Sequence, residues 1–240
     1  MAEDFRKIVY TGLESSGKSL LLSREANKLL KRATLWNKIT GKPRTLAFNM
    51  QMSPSFIREV ENAGLTYMEW ESFHQIENLT GADIFIDELL KIFPQKGSEP
   101  LPAHLMDFLT QGAKSGLHMV ATSQDFSQVH KQFRLLVSKV YVVKKIMGSP
   151  RPHETRPPVT SIWGVCLKNS VKPSSFKGDN ATMEKDFMSI PFFIRKKDTE
   201  RYNTLHKVPR AELPALKLRR QRVYAEDKDG NIIMQKYQFR

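Results

Sequence analysis

The chain predicts an α/β fold: a central, mainly parallel sheet flanked by helices, followed by a small basic extension that contains β-structure. Three observations lead there. Short apolar runs alternate with stretches of helical periodicity from residue 5 to residue 145, as strands joined by helical crossovers require. Ala82-Asp83-Ile84-Phe85-Ile86 is almost continuously apolar, which suits a central parallel strand covered on both faces. After Met147 the character changes: Pro150, Pro152, Pro157 and Pro158 alternate with Arg151 and Arg156. The expected division is a core over residues 1–147 and a basic extension over residues 148–240.

The first strand is the run Arg6, Lys7, Ile8, Val9, Tyr10. It leads into Gly12-Leu13-Glu14-Ser15-Ser16-Gly17-Lys18-Ser19, which meets every fixed position of the pattern G-x-x-x-x-G-K-[ST]. Leu20, Leu21, Leu22, Ala26, Leu29 and Leu30 then recur at helical spacing. A chance Gly/Ser-rich turn would not bring this strand-loop-helix context with it, so the fold class narrows to that of a P-loop NTPase. In such a loop, glycines let backbone N–H groups converge on phosphate oxygens, and the helix N-terminus adds partial positive charge. Gly12 to Ser19, with Leu20, are therefore the expected contacts to ATP. Lys18 is expected on the β- and γ-phosphates, and the Ser19 hydroxyl on Mg²⁺.

Beyond a basic turn at Lys38 to Arg44, Thr45 to Met50 reads as the second strand. Ser53 is a good N-cap and Pro54 suits the first helical position, with Phe56, Ile57 and Val60 on one face and Gly64 as the stop. Leu65 to Trp70 gives a third strand and Glu71 to Leu79 a short helix or loop. After the strand that reaches Asp87 and Glu88 come a Gly/Pro-containing loop (Gln95 to Pro102), a helix (His104 to Lys114) and a strand (Leu117 to Gln124). A helix at Val129 to Ser138 turns Phe133, Leu136 and Val137 inward, and Val140 to Val143 is expected as the last core strand. In the extension, Ser161 to Leu167 reads as a strand and Ser170 to Thr182 as a polar loop. Arg222-Val223-Tyr224 and Ile232-Ile233-Met234 flank the hairpin signal Asp229-Gly230-Asn231.

The acidic pair Asp87-Glu88, at the end of an apolar run some 70 residues after the P-loop, matches a Walker B pattern. Asp87 would hold Mg²⁺, and Glu88 would orient and polarise the attacking water. A kinase needs no such acid, so Glu88 favours hydrolysis. The competing reading is a solvated strand edge or a helix cap. Gln124 ends the next strand, where a polar side chain can sense whether ATP or ADP is present; a plain strand cap explains it equally. Arg134 is a candidate for neutralising transition-state charge, within its own subunit or across an interface, in competition with Lys114, Arg151 and Arg156. His74, His104, His118 and His130 show no metal-ligand spacing and are read as structural or surface residues.

The formal charge of +13 is unevenly spread, with +9 on residues 146–240 and +4 on the rest. Arg195, Lys196, Lys197, Arg219, Arg220 and Arg222 form clusters too dense for an apolar core, and phosphate backbones are their expected partner. Phe192, Phe193 and Tyr224 lie beside them, either to stack on bases or to face the inside of a small sheet. A solvated surface or anionic lipid would also suit the charge. Cys166 is the only cysteine, which excludes an intrachain disulfide and fits a reducing compartment. The N-terminus lacks the apolar core of a signal peptide, and no run approaches the roughly 20 residues of a membrane span. A soluble, cytoplasmic protein is expected, with association to a virion as a variant.

Taken in order, G-L-E-S-S-G-K-S, A-D-I-F-I-D-E, G-A-K-S-G-L-H-M-V-A-T-S-Q and Q-F-R-L-L-V resemble the FtsK-HerA superfamily of DNA-pumping ATPases, and within it the Zot-type N-terminal ATPase domain of phages. Lys197 to Val208 is similar to the Tyr-x-x-Tyr-Asp-Thr stretch that closes that domain, with Asn203 and Thr204 as an approximate match. Lys114 stands where many relatives carry Arg. Zot-type proteins of filamentous phages continue into a transmembrane segment, which this chain does not show. The resemblance thus implies an ATP-driven DNA translocase, most closely a viral genome-packaging ATPase. It would work as a homo-oligomeric ring, a pentamer or hexamer, with capsid or portal proteins as further partners. Whether the DNA is single- or double-stranded stays open. The alternatives are a nucleotide-switched DNA-binding or scaffold protein, and a small-molecule or nucleotide kinase with Arg151 and Arg156 in a lid.

Overall fold

A computed structural model describes residues 6–95, 100–112, 114–148, 162–172, 189–195, 201, 220–226 and 232–239. The strands are β1 (Lys7–Thr11), β2 (Thr45–Phe48), β3 (Thr66–Glu69), β4 (Ala82–Ile86), β5 (His118–Ser123), β6 (Lys139–Gly148), β7 (Ile162–Val171), β8 (Ile190–Arg195), β9 (Arg220–Glu226) and β10 (Ile232–Phe239). The helices are α1 (Lys18–Thr40), α2 (Pro54–Asn62), α3 (Ala103–Gln111) and α4 (Lys131–Leu136). One sheet of eight strands runs in the order β3-β2-β4-β5-β1-β6-β7-β8. The first six are mutually parallel, and β7 and β8 add on antiparallel. The chain therefore has the α/β architecture of a P-loop NTPase.

Strand alternation sorts the core into two layers. Ile84, Ile86, Met119 and Ala121 point to the side covered by α3 and α4, where Leu105, Phe108, Leu109 and Phe133 meet them. Leu46, Phe48, Phe85 and Val120 point to the other side and pack against Leu22, Ala26 and Leu30 of α1 and Phe56 and Val60 of α2. Central position explains the continuous burial of β4 and β5, while edge strand β3 keeps two of its four residues exposed. Ser53 caps α2 as its sequence suggests, its hydroxyl accepting from Phe56 N at 3.3 Å. Of the stretch 197–208, Arg201 is described, and its carbonyl accepts from Ser53 N at 2.8 Å.

At the amino ends of the parallel strands, the buried Arg44 guanidinium holds Asp83 through Nη2–Oδ1 (3.0 Å) and Nε–Oδ2 (3.2 Å). It also donates to the carbonyls of Ala82 and Gly116, so the pair ties β4 to the approach of β5.

Three expectations are corrected. The first helix continues beyond Leu30 to Thr40 and ends on Gly41, which has φ 67° and donates its N–H to Asn37. The turn expected from Lys38 therefore begins three residues later. Val140 to Val143 is not the last core strand: β6 runs on to Gly148, and the same sheet continues through β7 and β8 across the residue 147/148 division. Ser170 and Val171 belong to β7, not to a loop. For the two strands the physical reason is shared: a partner strand supplies backbone hydrogen bonds that the local sequence does not announce. The hairpin strands pair antiparallel as β9 and β10, with Arg222 opposite Tyr237 and Arg220 opposite Phe239. Their turn, the Pro-rich bridge, and Lys196, Lys197 and Arg219 lie outside the described residues.

Candidate nucleotide-binding site

Strand order assembles the site. β5 lies between β1 and β4, so the segments that leave the carboxyl ends of these three parallel strands meet at one edge, where open α/β sheets bind ligands. After β1 the chain turns through the Gly12–Ser19 loop. Gly12 has φ 149°, and a Cβ there would stand 2.3 Å from the Val143 carbonyl of β6, so only glycine lets the loop lie against that strand. Gly17 (φ 94°) starts α1 with no side chain capping the first turn, which leaves its backbone donors directed into the loop. The Ser16 hydroxyl is buried with no hydrogen-bond partner among the described residues. The Lys18 ammonium reaches across the loop to the carbonyls of Gly12 (2.7 Å) and Leu13 (2.6 Å). Burial pushes its pKa below the ordinary value, while Asp87, Glu14 and Glu88 pull it back up.

Ser19 and Asp87, 68 residues apart, are in contact: the hydroxyl donates to Oδ1 at 3.1 Å and lies 3.4 Å from Oδ2. Burial pushes the Asp87 carboxyl up from its ordinary range, and Glu88 adds to this. Hydrogen bonds from Thr122 and Ser19 and the charge of Lys18 work against it. Glu88 follows with φ 59°, and its carboxylate contacts the Lys91 ammonium. Ser15 (φ 56°) and Glu88 are the two non-glycine residues with positive φ among the described residues, and both lie in this site. Such conformations cost about 1–3 kcal/mol each and persist where surrounding structure imposes them. Gln124 is exposed; its side-chain amide nitrogen lies 3.5 Å from the Glu14 carboxylate, and its backbone carbonyl accepts from the Thr11 hydroxyl at 3.4 Å.

Two residues without an expected role brace Asp87. The Thr122 hydroxyl donates to its Oδ1 at 2.6 Å and accepts from Glu88 N at 2.9 Å, fixing both acids from β5. Asn49, just past β2, accepts from Asp87 N at 2.6 Å and donates to the Asp87 carbonyl at 3.0 Å. Both sit at carboxyl ends of parallel strands, and that position was the available signal. The wall behind the loop was also unforeseen. A Cβ at Gly17 would stand 3.4 Å from Cys166 Sγ of β7 and 3.5 Å from the Phe192 ring of β8. Leu20, Cys166 and Ile194 form a small apolar cluster there. Arg24 covers the Phe192 ring and donates to the Phe193 carbonyl. Phe192 thus packs inward, whereas Phe193 is exposed.

The remaining candidates lie apart. Arg134 is buried in α4, one turn before Ser138, whose N–H donates to the Lys7 carbonyl where β1 begins. That is the end of the sheet opposite the loop. Lys114 also precedes its strand, β5, at that end. Arg195 is placed as the last residue of β8, and Arg220 and Arg222 lie in β9.

Loop, acidic pair and interposed strand define a P-loop NTPase site. The zonular occludens toxin (Zot) family matches residues 10–153, more than half of the chain, and the chain belongs to that family. Among solved structures it is similar to the N-terminal domain of zonular occludens toxin from Neisseria meningitidis, at 16% identity over 83% of this chain and 100% of that one, with a TM-score of 0.49. It is also similar to the flagellar accessory protein FlaH from Methanocaldococcus jannaschii (15% identity, 78% and 84% covered, TM-score 0.47). The genome packaging NTPase B204 from Sulfolobus turreted icosahedral virus 2, in complex with AMPPCP, gives 13% identity, 77% and 98% covered, and a TM-score of 0.43. No curated protein matches the chain. No helix among the described residues is long and apolar enough to cross a membrane.

Proposed function

We propose that this chain hydrolyses ATP and couples the cycle to movement of DNA, as a genome-packaging motor acting in a homo-oligomeric ring of five or six copies. The observation that carries the proposal is the direct contact of Ser19 with Asp87, beside Glu88. It joins the loop suited to phosphates to the carboxylates suited to hydrolysis. The donor set fits both ATP and Mg²⁺. Ser16 offers a buried, unpartnered hydroxyl, the first turn of α1 offers backbone N–H groups, and Lys18 offers a positive charge. The Ser19 hydroxyl and Asp87 carboxylate are hard oxygen donors and would hold Mg²⁺. When bound, that ion neutralises phosphate charge.

The other residues act on the water and the phosphates. The Glu88 carboxylate orients the attacking water and accepts its proton, held in register by the Thr122 hydroxyl on its N–H. Lys18 stabilises charge on the transferring group. Gln124, in reach of Glu14 across the loop mouth, reports phosphate occupancy to β5. The C-terminal charge supplies the case for DNA, with Arg195, Lys196, Lys197, Arg219, Arg220 and Arg222 as phosphate contacts and capsid or portal proteins as docking partners.

Steady-state ATP hydrolysis with and without DNA tests this reading. Repeated turnover that rises on DNA is expected. Glu88→Gln should keep ATP binding and lose hydrolysis, whereas Lys18→Ala should lose both. A folded protein with no turnover under either condition would overturn the proposal. One observation favours a second reading, a nucleotide-switched DNA-binding or scaffold protein: the Glu88 carboxylate is paired with the Lys91 ammonium. Single-turnover kinetics separate the two, because a switch stops near one ATP per binding event.

A further inference from the structure

We infer that His74, Glu77 and His104 form a Zn²⁺ site, distinct from the nucleotide loop. In the sequence these histidines show no ligand spacing, because the ligands come from two segments. His74 and Glu77 lie in and just after the single 3₁₀ turn Phe73–Gln75 that follows β3, and His104 lies in the first turn of α3. The fold brings them together. One ligand atom from each lies within 4.8 Å of the other two. The two rings stack 5.6 Å apart at 23°.

The geometry suits a small divalent ion with nitrogen and oxygen ligands. Zn²⁺ bonds to His nitrogen and carboxylate oxygen at about 2.0–2.2 Å, so neighbouring ligand atoms in a tetrahedral site stand about 3.3 Å apart. His74 Nδ1 and Glu77 Oε2 are already 3.2 Å apart. His104 is exposed, and its ligand atom lies within 4.8 Å of the other two. The backbone beneath is fixed. Phe73, next to His74, meets Phe108, one turn along α3 from His104, edge to face at 4.8 Å. Glu77 and His104 also line an open cleft of about 320 Å³ together with Asp107, which leaves room for water at a fourth coordination position. With two neutral imidazoles and one carboxylate, the set is softer than the oxygen-only ligands Mg²⁺ prefers, and Zn²⁺ is the matching choice. A bound ion would clip the segment behind edge strand β3 to α3.

Titration of the full chain with Zn²⁺ alone, followed calorimetrically in the Asp87→Asn background to silence the loop, should show one equivalent bound. His74→Ala or His104→Ala should each weaken binding by at least roughly tenfold, since even outer-shell losses at metal sites reach that size. Absence of stoichiometric binding, or unchanged binding in the double variant, would overturn the assignment. A second measurement needs no variant: with Co²⁺ in place of Zn²⁺, proton NMR should show hyperfine-shifted, non-exchangeable ring C–H signals from two imidazoles. Signals from fewer than two would also overturn it. Neither result depends on ATP turnover, so failure here leaves the proposed hydrolysis untouched.

Discussion

The surroundings of Asp87 disfavour its charged form, and the cost of ionising it falls on the fold. Its pKa lies above the ordinary value of 3.8, first because of burial. A folded-state pKa above the unfolded one means that folding favours the protonated acid. The associated stability is complete below the ordinary carboxylate range and is lost as pH rises through the folded value. Asp87→Asn should therefore raise the melting temperature near pH 7, by about 2–4 °C for each kcal/mol relieved in a chain of this length. The gain should shrink as pH falls toward the carboxylate range, and ATP turnover should vanish throughout. Thr122→Val removes the hydroxyl that serves both acids. A hydrogen bond to a charged group is worth about 1.5–3 kcal/mol, so kcat should fall roughly tenfold to a hundredfold with little change in KM. Lys18 and Ser19 were legible in the sequence because the loop motif fixes their spacing, and Asp87 because it ends an apolar run. Thr122 and Asn49 were not, since a polar residue at a strand end looks the same whether it braces a buried carboxylate or merely caps a strand.

At the scale of the elements, the buried Arg44–Asp83 pair shows what joins one strand to the next. Removing one partner leaves the other charge unpaired in the interior, which costs about 3–5 kcal/mol, whereas replacing both with apolar groups is often neutral. Arg44→Met should thus lower the denaturation midpoint sharply, and Arg44→Met with Asp83→Leu should recover most of the loss; urea unfolding of the two variants checks both outcomes. The parallel strands were legible because each carries its own apolar run, and β4 announced its central place by having polar residues only at its second position and beyond its end. The membership of β7 and β8 in the main sheet was not legible. Lys168, Asn169 and Ser170 are polar, and it is the register against Val143, Val142 and Tyr141 of β6 that makes them a strand. The proximity of His74 and His104 was not legible for the same reason: it arises from packing between segments, not from spacing within one.

For the whole molecule, the proposed function divides its labour along the distribution of charge. The candidate nucleotide site lies in the part of the chain with the smaller excess of positive charge, and most of the excess lies beyond Met147. Replacing Arg219, Arg220 and Arg222 with Gln should weaken DNA binding alike for all sequences. On duplex DNA, its log–log salt slope should fall by about 0.9 for each phosphate that the variant no longer neutralises. ATP hydrolysis without DNA should stay nearly unchanged. An unaltered slope would assign these arginines to solubility or to a protein partner.

The wall behind Gly17 also bears on how the protein is made. Residues 12–19 leave the ribosome early, but Cys166 and Phe192, against which the loop rests, follow some 150 to 175 residues later. At synthesis rates of about 5–20 residues per second, the wait is roughly 8 to 35 s. During that interval Leu20 and Gly17 lack the strands that cover them, so a newborn chain has its phosphate loop before it has the support for it. The nucleotide site is among the first features specified during translation and among the last to be completed.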